Sequence, residues 1–319
     1  MKKRTLLIAA AVTAMLLPAA AQTSWPQKPI KLIVPYPPGG PVDQLARAIA
    51  PRLGEVLGQS VIVDNKAGAS GAIGMDAAIK AEPDGSVFSF GVPGGITVLP
   101  HLQKMPYVVD EIVYVSLVAR VPQVITVGPK VPANTLQELI VLAKKDPGAI
   151  NYGSAGNATT PHLGAELFAQ EAGVKMTHIP YKGAAPAVTA LLAGDIQVLA
   201  ADLPAVNQFT ARGVKILAVS GSQRWESLPK VPTTVELGLP GVIAESNYGI
   251  IASKGTPAAI VQKMREALIT TINTPSVKTS IANLGAVGVT TTPDEYRKLM
   301  NQESARWGAV VRKANITLN

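Results

Sequence analysis

The sequence predicts an α/β protein made of two lobes, each built on a mostly parallel sheet. Short β-branched runs alternate along the chain with stretches of helical spacing, a pattern typical of parallel sheets covered by helices. Of the 319 residues, 47% are hydrophobic and 16% are charged, which is enough apolar material for two cores. Chains above roughly 250 residues usually divide their core between domains.

The predicted elements alternate in chain order from residue 30 onward. Runs of β-branched and apolar residues predict the strands, namely 30–35, 61–65, 86–91, 112–119, 123–127, 150–152, 174–179, 196–200, 216–220 and 248–252. Apolar residues at helical spacing predict the helices, namely 42–57, 74–81, 136–145, 161–173, 184–192, 203–211, 257–273 and 293–312. Asn134 or Thr135 is the predicted cap of the third helix, and Thr292 with Glu295 is the predicted capping box of the last.

The order of these elements predicts that the chain crosses between the lobes twice. No Ser-, Gly- or Pro-rich linker divides the chain, and its last third returns to a strand and two long helices. We place the crossings near 121–126 and 245–249. Residues 25–122 and 249–319 then form lobe 1, and residues 123–248 form lobe 2. This arrangement leaves a cleft in which hinge closure can bury a small molecule.

The N-terminal segment predicts export from the cytoplasm. Residues 2–4 are basic, residues 6–17 form an apolar stretch, and three alanines at 19–21 supply the small residues of a cleavage site. The apolar stretch is too short for a stable membrane-spanning helix. Residues 1–21 are therefore predicted to be a signal peptide, with a retained membrane anchor as the alternative.

Composition argues against nucleic-acid binding and thiol chemistry. The formal charge of +8 falls to about +5 (8 − 3) without the three basic residues of the predicted signal peptide. The remaining Lys and Arg are scattered, and aromatic residues make up only 4%, whereas nucleic-acid sites use a basic face with stacking rings. The chain has no cysteine, and no residue set has the spacing of metal ligands. We expect no nucleic acid, metal or cofactor.

The segment Tyr-Pro-Pro-Gly-Gly-Pro-Val-Asp at 36–43 joins the first predicted strand to the first predicted helix. Its glycines let the backbone approach a ligand closely, and the free N–H groups of a helix start attract an anion. We predict that Tyr36, Gly39, Gly40 and Asp43 line one wall of an anion site. An ordinary strand-to-helix turn is the alternative, and the helix dipole alone explains an acid such as Asp43.

The segment Gly-Ser-Ala-Gly-Asn-Ala-Thr-Thr at 153–160 repeats this design in the predicted second lobe. Ser154, Asn157, Thr159 and Thr160 carry hydroxyl and amide groups that can donate hydrogen bonds to a carboxylate. Two polar, Gly-rich helix starts, one from each lobe, are suited to clamp a carboxylate between them. We predict that these four residues line the opposite wall.

Five further residues are weaker ligand candidates. Ser70 lies in a Gly-rich turn, and Tyr181 and Lys182 lie in another strand-to-helix turn, where a solvated lysine is an equal alternative. Tyr248 begins the predicted return strand. Asp202 follows a predicted strand, where it can accept a hydrogen bond from an ammonium or hydroxyl group of a ligand. Its other interpretation, which we favour, is the cap of the next helix.

Catalytic motifs are missing from the sequence. The three histidines, His101, His162 and His178, lie far apart along the chain. The sequence contains no Gly-x-Ser-x-Gly elbow, no phosphate-binding loop and no His-Glu-x-x-His motif. A triad of Ser154, His162 and an acid is the one hydrolytic arrangement that can be drawn. We therefore expect that the protein is not an enzyme.

Short motifs are spread over essentially the whole predicted mature chain. They are Pro-Tyr-Pro-Pro-Gly-Gly-Pro-Val-Asp at 35–43 with Leu45, Ala46 and Arg47, Asn-Lys-Ala-Gly-Ala-Ser-Gly at 65–71, Glu-Pro-Asp-Gly at 82–85, Tyr-Gly-Ser-Ala-Gly at 152–156, His162-Leu163 with Glu-Leu-Phe at 166–168, Pro-Tyr-Lys-Gly at 180–183, Gly-Asp-Ile-Gln at 194–197, Lys-Val-Pro-Thr at 230–233 with Glu236, and Gly-Thr-Pro at 255–257. In order and spacing the chain resembles the tripartite tricarboxylate transporter receptors, also called Bug solute-binding proteins.

The resemblance implies a type II periplasmic binding protein fold with two crossover strands. It implies a carboxylate held by the loops at 36–43 and 153–160, partly through ordered water, and neither loop contains an arginine for a direct clamp. It also implies a periplasmic location and delivery to a two-subunit inner-membrane permease. Ser86-Val87 and Asn247-Tyr248 depart from the family pattern, and the second departure lies at the predicted return crossing.

These observations predict a monomeric, non-enzymatic receptor for a small organic mono- or dicarboxylate. The first alternative is a sensory receptor of the same fold that docks on a membrane signalling protein. A periplasmic hydrolase is the second. The identity of the carboxylate does not follow from the sequence.

Overall fold

The structure, a computed structural model, describes residues 25–313 and 315–318. The predicted signal peptide at 1–21 lies outside these residues. Over the described residues the chain forms two α/β lobes that share one long strand. Among the helices described, none is both long and apolar enough to cross a membrane.

The elements alternate between strands and helices through most of the chain. The strands are β1 (Ile30–Val34), β2 (Val61–Asn65), β3 (Val87–Gly91), β4 (Val113–Val127), β5 (Asn151–Ser154), β6 (Thr177–Pro180), β7 (Val198–Asp202), β8 (Lys215–Val219), β9 (Glu245–Ala252) and β10 (Val287–Gly288). The helices are α1 (Pro41–Leu57), α2 (Ala72–Ile79), α3 (Leu136–Lys145), α4 (Thr160–Ala172), α5 (Ala184–Ala193), α6 (Leu203–Val206), α7 (Ala258–Asn273), α8 (Pro275–Asn283) and α9 (Pro293–Lys313).

The sheet of the first lobe has the strand order β2-β1-β3-β9-β4. The β1 strand pairs in parallel with β2 and β3, whereas β9 runs antiparallel to both β3 and β4. Apolar side chains of α1, α2, α7 and α9 cover this sheet and form one large core, which includes Leu45, Met75, Leu268 and Trp307. The parallel strands β1, β2 and β3 therefore all end at the same edge of the sheet.

The sheet of the second lobe has the order β4-β7-β5-β6, with β8 also paired to β4. The β5 strand is parallel to both β6 and β7. Helices cover both faces, so this sheet has two separate cores. One contains Leu139 of α3 and Phe168 of α4, and the other contains Leu191 of α5 and Val206 of α6. The carboxyl ends of β5 and β7 face the same side of the lobe.

The β4 strand passes from one sheet into the other without interruption. It pairs with β9 from Val113 to Pro122 and with β7 from Gln123 to Val127. The sequence predicted two separate strands here, at 112–119 and 123–127. In the structure Pro122 occupies the last position of the β9 pairing, where the partner strand changes, and the strand continues past it. The limits of the lobes remain a prediction.

Local capping explains several helix boundaries. The capping box of α9 is confirmed, since the Thr292 N–H donates to Glu295 Oε2 (2.8 Å) and the Glu295 N–H donates to Thr292 Oγ1 (3.2 Å). Thr135 accepts from the Glu138 N–H and caps α3. The predicted helix at 203–211 is shorter, because α6 changes to a 3₁₀ turn after Val206. Helix α8 was not predicted.

Candidate functional site

The first helix start of the site lies between β1 and α1. Gly39 has φ +83°, a conformation that favours glycine, and it turns the chain into the helix that begins at Pro41. The buried carboxylate of Asp43 holds this loop: Oδ2 accepts from the Gly39 N–H and from Arg47 Nε, both at 2.9 Å, and Oδ1 accepts from Asn65 Nδ2 at 3.0 Å. Asp43 therefore fixes the shape of the loop through these three hydrogen bonds.

The lowered pKa of Asp43 agrees with its role in holding the loop. Burial opposes its ionisation, but the hydrogen bonds from Arg47, Gly39 and Asn65 together keep the pKa of the carboxyl below its ordinary value. The side chain is only 3% exposed and does not border the cleft.

The second helix start lies between β5 and α4. The Thr159 hydroxyl donates to the Gly156 carbonyl (2.8 Å) and so closes the loop, while Thr160 begins the helix and lines the cleft. The first N–H groups of an α-helix have no acceptor within the helix. Helices α1 and α4 therefore each present unpaired N–H groups and a positive dipole end.

A cavity separates the two helix starts and is bounded by both lobes. The space open to the centre of a water-sized sphere is about 40 Å³, so the cavity is small as it stands in this structure. Its wall is largely apolar, with five prolines and five alanines, and among the described residues it contains no Lys, Arg or His. The lining residues are Tyr36, Pro37, Pro38, Gly40, Pro41, Val42, Pro93, Gly94, Ala155, Thr159, Thr160, Pro161, Ala184, Ala185, Leu199, Ala200, Ala201, Asp202 and Tyr248.

Asp202 is the one acid among the described residues of this wall. It ends β7 and is 4% exposed, and its oxygens accept hydrogen bonds from Ser246 Oγ (2.8 Å) and from the Tyr248 hydroxyl. Burial raises the pKa of Asp202 to about 6, although these two hydrogen bonds act in the opposite direction. The expectation that the Asp202 side chain caps α6 was wrong. This side chain makes no cap hydrogen bond and accepts hydrogen bonds from two residues of β9 instead.

Tyr36 and Tyr248 share the wall with Asp202. Burial raises the pKa of Tyr36 above its ordinary value, and the negative charge of Asp202 raises it further. Burial, followed by the charge of Asp202, raises the pKa of Tyr248 as well. Both phenols therefore stay protonated and act as hydrogen-bond donors at neutral pH. The Tyr36 hydroxyl donates to the Ser70 carbonyl (3.3 Å).

Ser154 lies in a stacked histidine cluster beneath the second helix start. Its Oγ is 2.7 Å from His178 Nε2, and His178 stacks on His162 with ring centroids 4.0 Å apart and on Tyr152 at 4.8 Å. Burial lowers the pKa of His178 to about 4 and that of His162 to about 3, the latter also through its neighbour His178. The triad drawn from sequence is wrong in its partner, because Ser154 contacts His178 rather than His162.

The predicted site residues divide into two groups. Those that border the cavity are Tyr36, Gly40, Thr159, Thr160, Asp202 and Tyr248. Those that do not border it are Gly39, Asp43, Ser70, Ser154, Asn157, Tyr181 and Lys182.

The second group is kept from the cavity by burial, exposure or other contacts. Ser154 is fully buried, Lys182 and Gly39 are exposed, and the Ser70 hydroxyl bonds to the Asn157 carbonyl across the lobes. Tyr181 and Lys182 lie in the turn before α5, whereas Ala184 and Ala185, the first residues of α5, border the wall.

Several wall segments were not predicted from the sequence. Pro93 and Gly94 follow β3, so the rule that identified the other strand-to-turn segments would have found them. Residues 199–201 belong to β7 itself, and their apolar side chains give no sequence signal of a binding site. Among the residues described, no group of three or more His, Cys, Asp or Glu is placed to hold a metal ion.

Comparisons with known proteins identify the relatives of this architecture. The model of the tripartite tricarboxylate transporter family receptor matches residues 45–316. The chain is 36% identical over 308 residues to protein BugT of Bordetella pertussis, which covers 94% of this chain and 93% of BugT.

Two solved structures extend this relationship to the fold. The R. palustris protein Rpa4515 with adipate superposes with a TM-score of 0.88 at 34% identity, covering 92% of this chain and 99% of that one. MatC of Rhodopseudomonas palustris with bound malate gives a TM-score of 0.85 at 28% identity, covering 90% of this chain and all of MatC. The predicted α/β fold of the type II periplasmic binding proteins is confirmed. The chain belongs to the tripartite tricarboxylate transporter receptor family.

Proposed function

We propose that this chain is a periplasmic, monomeric receptor that captures a small organic carboxylate and delivers it to a two-subunit inner-membrane permease. The observation that carries the proposal is the position of two helix starts, α1 of one lobe and α4 of the other, on a single cavity. In this proposal residues 1–21 are removed as a signal peptide. The crossover strands β4 and β9 act as the hinge between lobe 1 (25–122 and 249–319) and lobe 2 (123–248).

Two helix starts can hold one carboxylate without any cationic side chain. Each helix N-terminus is equivalent to roughly half a positive charge, so the pair offsets about one negative charge. The N–H groups of Val42 and of Thr160 lie in the first turns and have no acceptor within their helices. The Thr160 hydroxyl adds a donor beside them. Ordered water bridges the remaining carboxylate lone pairs in this proposal.

The ligands bound in two related structures support a carboxylate as the ligand. Rpa4515 was solved with adipate and MatC with malate, and both superpose over at least 90% of this chain. The proposed role is not enzymatic, because the serine–histidine pair beside the site, Ser154 with His178, is inaccessible. Ser154 is fully buried and does not border the cavity, and its partner His178 belongs to the stacked cluster behind it.

Calorimetric titration of the mature chain, unfolded and refolded to remove carried ligand, tests the binding step. The panel contains aliphatic and aromatic mono- and dicarboxylates, each with its primary amide as the matched control. We expect at least one acid to bind and its amide to bind at least tenfold more weakly, because the helix starts favour the charged group. If no carboxylate binds to correctly refolded protein, the proposal is wrong.

The delivery step needs a separate measurement. Spheroplasts that contain the two-subunit permease should take up the radiolabelled acid only when purified receptor is added. A receptor that binds the acid but never increases uptake would support the sensory alternative instead.

A further inference from the structure

The cavity wall holds a negative charge for which the protein provides no cation. Asp202 is 4% exposed, and the described part of the wall contains no Lys, Arg or His. Its protein partners are the hydroxyls of Ser246 and Tyr248, which donate hydrogen bonds but carry no charge. Buried carboxylates without a cationic partner are costly and are retained mainly where they bind something.

The charges of the site do not balance when a ligand carries carboxylates alone. The starts of α1 and α4 together offset about one negative charge, which a single ligand carboxylate uses up. Asp202 then adds a second negative charge to the same closed space. A ligand with a carboxylate at each end would bring a third negative charge. Its far carboxylate and Asp202 would repel each other strongly in a dry cavity.

The hydrogen-bonding capacity of Asp202 points in the same direction. A carboxylate has about four acceptor positions, and Ser246 and Tyr248 account for two of them. Asp202 therefore retains acceptor capacity at the cavity wall. Most other wall residues are proline, alanine, valine and leucine, and the remaining polar side chains of the described wall are the uncharged hydroxyls of Tyr36, Thr159, Thr160 and Tyr248.

We infer that the ligand is a carboxylate that also carries an O–H or N–H donor, and that this hydroxyl or ammonium group binds Asp202 while the carboxylate binds the starts of α1 and α4. The inference rests on the proposed function. Plain dicarboxylates, which have no such donor, are disfavoured by the charge of Asp202. Asp202 is in this way the residue that sets ligand specificity.

A matched ligand series tests the inference. For each chain length from three to six carbons, refolded protein is titrated at pH 7.5 with four acids whose far end is a methyl, hydroxyl, ammonium or carboxylate group. At the best length we expect a hydroxyl or ammonium ligand to bind at least tenfold more tightly than the methyl and the dicarboxylate ligands. The comparison between hydroxyl and ammonium then identifies which donor the site accepts.

Two variants connect the preference to Asp202. We expect Asp202→Asn to lower the affinity for the donor-bearing ligand at least tenfold. The affinity for the methyl-ended acid should stay within threefold, and the affinity for the dicarboxylate should rise. Asp195→Asn removes an exposed acid of the same lobe, outside the cavity wall, and should leave all four affinities unchanged. Circular dichroism of each variant verifies folding.

The pH dependence of the wild-type protein gives an independent result without any variant. The titratable groups near Asp202 are Tyr36 of the first lobe and Tyr248 of β9, and both stay protonated between pH 5 and 8. As the pH falls, protonation of Asp202 should therefore weaken binding of the donor-bearing ligand and strengthen binding of the dicarboxylate. Two results together would overturn the inference but leave the proposed function intact. The first is that the dicarboxylate binds more tightly than the other three ligands at pH 7.5, and the second is that Asp202→Asn does not change the ligand affinities. Absence of binding by all acids would overturn both.

Discussion

The hydroxyl of Ser70 donates a hydrogen bond of 2.6 Å to the backbone carbonyl of Asn157, which joins the two sides of the cleft. The contact stands beside the cavity, since the Ser70 carbonyl also accepts from Tyr36. Ala69 and Ser70 both have positive φ, at 45° and 52°, a backbone conformation unusual for residues other than glycine. The loop that carries Ser70 is thus held in a special shape from which its hydroxyl reaches the second lobe.

Removing this contact should weaken ligand binding. The contact spans the cleft, so an opening of the cleft would break it. We therefore expect Ser70→Ala to reduce ligand affinity about threefold to tenfold, because a net hydrogen bond contributes about 1 kcal/mol. Titration calorimetry with a binding carboxylate measures the change. Ser280→Ala, on the exposed face of α8, is the matched control and should not alter affinity. Equal affinities for the two variants would mean that the contact does not stabilise closure.

Thr160 offers a direct test of the second helix start. The change Thr160→Val preserves the shape of the side chain but removes the hydroxyl of this wall residue. We expect carboxylate affinity to fall about tenfold, since a hydrogen bond to a charged group contributes on the order of 1.5 kcal/mol. The fall should be much smaller for the corresponding amide. Thr270→Val on α7, where the residue is exposed, controls for the loss of a helical threonine hydroxyl. An unchanged affinity would remove Thr160 from the site.

The stacked histidines should make the fold sensitive to acid. The folded-state pKa of His162 is about 3, against about 6.5 in an unfolded chain, so the unfolded chain binds more protons between those values. Stability is therefore complete above pH 6.5 and is lost as the pH falls through this window. At pH 5, His162 alone should cost about 2 kcal/mol of unfolding free energy relative to pH 7.

Substitution of the histidine isolates this effect. His162→Asn retains an acceptor for the Ala158 N–H, which donates to His162 Nδ1 at 3.1 Å. Urea unfolding at pH 7 and pH 5 should show that the variant loses about 2 kcal/mol less than the wild type between the two values. His101→Asn, at an exposed position, should behave as the wild type does. A variant with undiminished acid sensitivity would place the titrating group elsewhere.

The fold was largely predictable because its signals are local. The alternation of β-branched runs and amphipathic stretches predicted most strands and helices, and Thr292 with Glu295 predicted the start of α9. Two features depend on pairing that is distant in sequence. Strand β4 continues through Pro122 because its partner changes from β9 to β7 there, and helix α8 buries only Val277 and Ile281, which is too weak an apolar pattern to predict it.

The candidate site was predictable in its backbone but only partly in its side chains. Both helix starts could be predicted because glycine and proline mark such turns locally. The carboxylate of Asp43 and the hydroxyl of Ser154 face other partners, Asn65 and His178, which lie 22 and 24 residues away and cannot be identified by spacing. The apolar part of the wall, such as Leu199, looks like any core residue in the sequence.

Asp202 should reduce the stability of the ligand-free protein at neutral pH. Its folded-state pKa of about 6 lies above the ordinary 3.8, so the folded chain binds more protons than the unfolded chain between these values. Ionised Asp202 therefore costs stability, and this cost grows as the pH rises from about 4 to about 6 and then stays constant. The shift corresponds to at most about 3 kcal/mol.

Replacing Asp202 with asparagine should therefore stabilise the ligand-free fold. We expect Asp202→Asn to raise the unfolding free energy by about 1 to 3 kcal/mol at pH 7, and the gain should nearly disappear at about pH 3, where the wild-type carboxyl is mostly protonated in both states. Urea unfolding of ligand-free protein at the two pH values measures the difference, with the exposed Asp195→Asn variant as control. A variant less stable than the wild type at pH 7 would mean that Ser246 and Tyr248 fully compensate the buried charge, so that Asp202 is a structural residue rather than one kept for a ligand.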